Sequence, residues 1–238
     1  MKIYYDLHIH TCLSPCGHED MTPNNIVGMS QIKGLNIIAI TDHNSTANCE
    51  AAIKAAEGTG LVVIPGMELE TLEGVHLVCL FPDLKIAKSF QRIVDLHRLP
   101  IRNRVEKFGH QHILNENDEV IGVEPNSLMA STYLDIDTAI EKVNELGGIA
   151  FPAHIDRPSY SVISNLGFIP PFWKITTVEI SKYPGSENFE NDPQYTEKYH
   201  VLRNSDAHDL IRISECENYL ELETCSARAL FEYLMSRK

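Results

Sequence analysis

Long apolar runs are missing from this sequence, which has no stretch of about 18 apolar residues that could cross a membrane. No apolar signal region stands at the amino terminus, so we expect a cytoplasmic protein without a membrane partner. Close cysteine pairs are scarce as well: of six cysteines, Cys12 and Cys16 alone lie near each other. We therefore expect buried thiols and no disulfide framework.

Positive charge is also scarce, because 20 Lys and Arg residues face 33 Asp and Glu residues and leave a net charge of −13. A protein that binds nucleic-acid backbones stably needs a basic surface, so we expect no stable nucleic-acid partner. Bound divalent cations would neutralise part of this negative charge locally. The composition therefore favours a small substrate, and it leaves the oligomeric state open.

The sequence contains apolar strand-like runs that alternate with helical patterns, and 43% of its residues are apolar. This alternation predicts an α/β fold, with β/α units around a largely parallel sheet. The helical patterns begin at Thr22-Pro23, at Ser45 or Thr46, at Asp135 or Asp137, and at Ser226. We expect one domain over residues 1–238, with a helical and hairpin insertion at about 82–130.

The segment Tyr4-Tyr5-Asp6-Leu7-His8-Ile9-His10 reads as a strand, because polar and apolar residues alternate along it. Side chains two apart on a strand point to the same side, so His8 and His10 share a face and could grip one ion. Alternatively, the two histidines bind no metal and form hydrogen bonds with the backbone or with water.

Further ligand-type residues fall at or just after the carboxyl ends of predicted strands: Asp42, His43, Glu68, His154, Asp206 and His208. In a barrel of parallel strands these ends converge on one rim, so the placement favours a metal site there. Asp42 could instead cap a helix, and His76, inside a strand, could be a core histidine. Four other histidines do not lie at the carboxyl end of a predicted strand: His97, His110, His112 and His200.

The sequence contains an ordered set of motifs that resembles the polymerase and histidinol phosphatase (PHP) family of metal-dependent phosphoesterases. The motifs are Asp-x-His-x-His, Thr-Asp-His, Gly-x-Glu, a downstream strand His, Pro-Ala-His and Ser-Asp-Ala-His. The resemblance implies a distorted seven-stranded β/α barrel, similar to a TIM barrel, with two or three metal ions at its carboxyl rim. It also implies the ligands: His8, His10, Glu68 and Asp206 for one metal; Glu68, His76 and His154 for a second; His43, His208 and one loop residue for a third.

The loop after His10 departs from the family pattern, in which an Asp often stands before Thr-Pro. Anchoring the comparison on Thr22-Pro23 places His18 at the ligand position, which is the assignment we prefer. Counting forward from His10 favours Cys16, whose thiolate suits zinc. Asp20 is the third possibility.

Mixed nitrogen and oxygen ligands suit Mn, Fe or Zn better than Mg or Ca. We therefore expect a metal-activated hydroxide to hydrolyse the phosphate ester of a small metabolite or nucleotide. Glu68 and Asp42 are the catalytic candidates: Glu68 would bridge two metals, and Asp42, beside His43, would orient a histidine or carry a proton. Arg157 is the candidate phosphate clamp, and arginines of the insertion could bind phosphate as well. The alternatives are a nuclease that acts on short oligonucleotides and a non-catalytic metal-binding module.

Overall fold

The structure is a computed structural model, and it describes residues 1–182 and 186–236. Its strands are β1 (Lys2–Ile9), β2 (Ile37–Ile40), β3 (Val62–Glu70), β4 (His76–Leu80), β5 (His112–Leu114), β6 (Val120–Val123), β7 (Ile149–Pro152), β8 (Thr177–Ile180), β9 (His200–Arg203) and β10 (Tyr219–Glu221). Its helices are α1 (Pro23–Ile32), α2 (Cys49–Ala55), α3 (Leu84–His97), α4 (Val105–Phe108), α5 (Ile136–Glu145), α6 (Val162–Leu166), α7 (Glu187–Glu190), α8 (Pro193–Thr196) and α9 (Ala227–Met235), with a 3₁₀ turn at Leu210–Arg212.

Six strands form one curled sheet in the order β10-β1-β2-β3-β4-β7. β1, β2 and β3 run parallel, as the alternating pattern predicted. β4 is antiparallel to both of its neighbours, and β10 is antiparallel to β1. The sheet is therefore mixed where we expected it to be largely parallel, because only a short turn at residues 71–75 separates β3 from β4 and such a turn allows only a hairpin.

The parallel pair β8-β9 faces the open side of this half-barrel. Beyond the end of β7, the Ile155 N–H donates to the Glu179 carbonyl at 2.9 Å. Beyond the end of β1, the His10 N–H donates to the Ala207 carbonyl at 3.0 Å. These two bonds bring the last residues of β1, β7, β8 and β9 to one rim.

Helix caps follow the predicted positions at three of four helices. Thr22, Asp135 and Ser226 each accept a backbone N–H of the first turn. The exception is α2, which begins at Cys49 after Asn48 and not after Ser45 or Thr46. The Asn48 side chain makes no cap bond, because it holds Thr11 and the backbone of Leu114 instead.

Three apolar clusters pack around the sheet in the described part of the chain, and the segment that we expected to be an insertion divides between core and surface. α3 buries Ala87, Phe90 and Val94 in the main core. The predicted hairpin is present as β5-β6, but three of the four residues of β6 are exposed. The chain after α3 therefore leaves the helical layer and lies over the rim. In the part of the chain that the structure describes, no helix is long and apolar enough to cross a bilayer.

Candidate metal centre

The carboxyl end of β1 carries two buried histidines whose rings converge. The Nε2 atoms of His8 and His10 lie 3.2 Å apart, and neither side chain is exposed. β1 is paired on both sides, by β2 and β10, so the backbone fixes where these rings point. The prediction that the two rings share one face is confirmed.

Glu68, near the end of β3, stands at the centre of the rim. Its two carboxylate oxygens lie within 3.3 Å of nitrogens from five histidines: His8, His10, His43, His76 and His154. Burial opposes its ionisation, but the histidines, His76 foremost, lower the pKa of Glu68 well below its usual range. Glu68 is therefore an ionised carboxylate in a buried site, and it can bridge cations.

Three groups of donor atoms meet here, each with its atoms within 4.8 Å of one another: His8, His10, Glu68 and Asp206; His43, Glu68 and His76; His10, Cys16, His43 and His208. The first group matches the set that we expected for one metal. For the second, the Nε2 atom of His154 lies 3.2 Å from Glu68 Oε1, so this residue also reaches the cluster.

The loop after β1 brings Cys16 to the cluster in place of His18, the residue that we preferred from the sequence. The His18 side chain is 58% exposed and contacts Asp20 at 3.4 Å. Tight turning explains the difference: the Gly17 N–H donates to the Ser14 carbonyl, and a Cβ atom at Gly17 would lie 2.3 Å from the Thr11 carbonyl oxygen. This compact loop brings Cys16, which is exposed and not buried as we expected of the thiols, within reach of His10, His43 and His208, and it leaves His18 outside.

His76 reaches the same rim for a reason that the sequence did not reveal. It is the first residue of β4, which runs antiparallel to β3, and it pairs with Glu70. The start of an antiparallel strand lies at the carboxyl end of its parallel neighbours. His76 Nδ1 therefore lies 2.8 Å from Glu68.

Glu179, on β8, is a functional candidate that the sequence motifs did not reveal. Both of its oxygens lie 3.0 Å from His8 Nδ1, and they also accept from the His154 N–H and the Asn204 side chain. A usable signal was present, because Glu179 is the one charged residue in the otherwise uncharged run Ile175–Ile180. A charge on a buried strand needs partners, and partners of this kind orient metal ligands.

Asp42 is buried behind His10 and does not face the cavity. It accepts bonds from the Thr11 N–H, the Thr11 hydroxyl and the Ser14 hydroxyl. The Ser14 Oγ atom lies in turn 3.1 Å from His10 Nδ1 and accepts the His43 N–H. Asp42 therefore acts on His10 through Ser14, and this geometry suits orientation better than proton transfer to a substrate.

These networks fix which ring nitrogens carry protons. Because Ser14 donates to Asp42, it must accept the proton of His10 Nδ1; because Glu179 is a carboxylate, His8 donates through Nδ1. Both Nε2 atoms then present lone pairs to one point, beside Asp206 Oδ1 at 3.1–3.3 Å. Lone pairs this close repel unless a cation lies between them, so the donor set fits a divalent metal.

The carboxylates of the cluster attract positive charge, which a proton supplies when no metal ion is bound. Burial opposes protonation of His10, but its contacts with Asp206 and Glu68 outweigh that effect and raise its pKa to about 9. Burial lowers the pKa of His208 to about 4, with help from His10, which leaves a neutral ring whose Nδ1 bonds the Asp206 carbonyl. Neutral imidazole is the form that binds metals.

The backbone is strained at the rim. His154 and Asp206 have positive φ angles of 30° and 50°, in a region that non-glycine residues seldom adopt. Such strain clusters at functional sites, where the surrounding structure enforces it.

A cavity of about 150 Å³ lies over the cluster, and Arg157 and Asp206 both line it. Arg157 Nη1 donates to Asp206 Oδ2 at 2.6 Å, so the candidate phosphate clamp is paired with a candidate ligand. A larger groove of about 540 Å³ runs between α5 and residues 172–174. The smaller cavity is the candidate site, because the converging donor atoms line it and do not line the larger groove.

A family model for the PHP domain matches residues 6–154. This range contains the carboxyl-terminal part of β1, all of β2 to β7 and the candidate ligands up to His154. The four residues Glu179, Asn204, Asp206 and His208 complete the cluster from outside it.

Among curated proteins, a 5'-3' exoribonuclease of Haemophilus influenzae is 25% identical over 189 residues, which are 63% of this chain and 68% of that protein. Among solved structures, the lesion-specific endonuclease PfuEndoQ from Pyrococcus furiosus superposes with a TM-score of 0.75 at 22% identity. All of this chain is covered, but it spans only 57% of that one. An amidohydrolase from Chromobacterium violaceum superposes with a TM-score of 0.61 at 16% identity, over 98% of this chain and 97% of the other. These two superpositions support the fold.

Proposed function

This chain belongs to the PHP domain family, whose members are metal-dependent hydrolases, and from that premise we propose that it hydrolyses a phosphate ester of a small metabolite or nucleotide. One observation carries the proposal: the buried Glu68 carboxylate lies against five histidine side chains and within 4.8 Å of Asp206. Such a concentration of buried donors is costly without a cation to bind.

The donor groups support two or three ions, and their chemistry favours Mn, Fe or Zn. We assign His8, His10, Glu68 and Asp206 to the first, Glu68, His76 and His154 to the second, and His43, His208 and Cys16 to the third. A thiolate at the third position favours zinc or iron over manganese. When bound, such ions would supply Lewis acidity and lower the pKa of a water molecule for attack on phosphorus.

The chain's own residues would hold and orient the substrate. Arg157 lines the cavity beside Asp206, and its guanidinium fork can bind two phosphate oxygens. Glu179 and Asp42 would fix the rings of His8 and His10, the second through Ser14. Asp42 is therefore proposed as a positioning residue, and Glu68 as the bridge between two sites.

We also propose that β1, β2, β3, β4, β7, β8 and β9 form the distorted seven-stranded barrel that the motifs implied. The bonds from Ile155 to Glu179 and from His10 to Ala207, which span the gaps between sheets, support it. The segment over the rim would act as a lid that contributes to substrate selection. Six unpaired cysteines are consistent with a cytoplasmic location.

The test is a hydrolysis screen of the purified, manganese-, iron- or zinc-loaded protein against p-nitrophenyl phosphate, sugar phosphates, nucleotides and short single-stranded oligomers. We expect turnover of small monoesters, with metal content of two or three ions per chain by elemental analysis. Metal binding without turnover of any phosphoester would instead support the non-catalytic module.

The second candidate is a nuclease that acts on short oligonucleotides. The names of the relatives favour it, because one is an exoribonuclease and one is an endonuclease. The net charge of −13 opposes a long nucleic-acid footprint. Release of mononucleotides from a labelled oligomer, faster than phosphate release from any monoester, would favour the nuclease.

A further inference from the structure

Tyr160 lies in the loop between β7 and α6 and lines the cavity over the cluster. Its ring stacks on the ring of His76, with centroids 4.8 Å apart and an angle of 21° between the planes. The side chain is nevertheless 49% exposed. One face therefore rests on a candidate ligand, and much of the remaining surface is open to the cavity mouth.

The backbone holds this ring in place at a conformational cost. The Tyr160 carbonyl accepts the His76 N–H at 2.8 Å. Its φ angle is 56°, in the left-handed region, where bulky residues are rare and Gly or Asn are favoured. A tyrosine enforced at such a position beside an active-site cavity is more than a turn residue.

The size of the cavity indicates what the ring could meet. A volume of about 150 Å³ corresponds to roughly five water molecules, enough for a phosphate group but too small for a nucleoside. The rest of any nucleotide must then lie across the mouth. Tyr160 and Met129, which is 40% exposed and comes from the segment over the rim, present the large apolar side chains there.

We propose that Tyr160 forms a binding subsite for a nucleobase, on which the base attached to the bound phosphate stacks, with Met129 as an apolar neighbour. This inference rests on the proposed function and narrows its substrate class from phosphate esters in general to nucleotides or nucleotide ends. Stacking suits such a subsite, because every base has an aromatic face and the interaction tolerates any sequence.

Binding tests the subsite without requiring turnover. The probes are a nucleoside phosphonate and the matching sugar phosphonate without its base, since the carbon–phosphorus bond resists hydrolysis. Isothermal titration of metal-loaded protein should give about tenfold tighter binding of the nucleoside form, the range expected for one stacked base. Tyr160→Phe should keep this preference. Tyr160→Asn, which tolerates the positive φ, should reduce it to less than twofold.

Tyr133→Asn is the matched control, because Tyr133 is an exposed tyrosine away from the cavity lining and its loss should leave the preference intact. Equal preference in the wild type and in Tyr160→Asn would overturn the proposal. So would a Tyr160→Asn protein that loses metal and binds both probes equally weakly, since the ring would then only support His76. Hydrolysis of phosphoesters without any base preference would overturn the subsite alone, whereas a base preference without hydrolysis would overturn the proposed function alone.

Discussion

The rim of the curled sheet and the segment at residues 98–134 differ in the burial and the bonding of their side chains. At the rim, charged groups are buried and each has several partners: Asp42 accepts three hydrogen bonds, and Glu179 contacts His8, His154 and Asn204. In the segment, apolar side chains such as Phe108 and Ile121 are exposed. Gln111 is one of its few buried polar anchors, with bonds to three backbone groups.

The difference shows which region the fold organises for chemistry. Buried carboxylates cost free energy unless partners satisfy them, so a rim that contains several, each with its partners in place, is suited to a bound cation. An exposed hairpin carries little of the folding free energy and can change without unfolding the sheet. Substitutions at the rim should therefore alter metal binding and activity, and substitutions at exposed positions of the segment away from the cavity should alter metal binding and stability little.

The largest effect is expected for Glu68→Gln. This change keeps the shape of the side chain but removes the charge that faces five histidines. Loss of the proposed bridging ligand should lower kcat/KM for phosphate esters by about a thousandfold or more, since it removes several kcal/mol of transition-state stabilisation. Elemental analysis should show less bound metal. Glu73→Gln, outside the cluster, is the control, and full activity in Glu68→Gln would disprove the bridge.

Glu179→Gln should have the next largest effect. The amide can still bond to the ring, but it cannot stabilise the Nδ1 proton of His8 as a carboxylate does. Loss of such a partner lowers metal affinity by about 10- to 100-fold. Competition with a chelator measures this affinity directly. Unchanged affinity would show that Glu179 only fills space in the core.

Asp42→Asn should weaken metal binding less, because Asp42 reaches His10 through Ser14 and not directly. We expect an effect of up to about tenfold, at the low end for such positions. A double-mutant cycle with Ser14→Ala distinguishes the relay from a local packing defect. If the effects of the two substitutions on the free energy of metal binding are additive, Asp42 does not act on His10 through Ser14.

The sequence predicted the rim well because strand ends and ligand types coincide there. The positions of His43, Glu68, His154 and Asp206 at strand ends confine them to one edge, whatever the details of the loops. His76 and Glu179 were harder, since their places depend on the direction of β4 and on the pairing of β8, which periodicity does not reveal. Pairing direction depends on contacts between segments that are far apart in sequence.

The loop after β1 was the part that the sequence placed least well. Cys16 approaches His10, His43 and His208, whereas His18 points outward, as a result of turns at Ser14 and Gly17. Cys16→Ser should therefore lower zinc occupancy by about one ion per chain, because a hydroxyl is a much weaker zinc ligand than a thiolate. His18→Ser is the matched control, with no expected change. The opposite result would restore His18 as the ligand.

The smallest effect is expected in the segment, at Phe108, the last residue of α4, where the side chain is 48% exposed. Phe108→Ser should change the free energy of unfolding by less than about 0.5 kcal/mol, the usual range for surface positions. Metal content should be unchanged, since Phe108 lies outside the cavity lining. Chemical denaturation and elemental analysis measure the two quantities. A loss of stability comparable to that of a core substitution would mean that the segment is packed as firmly as the rim, and the contrast between the two regions would no longer hold.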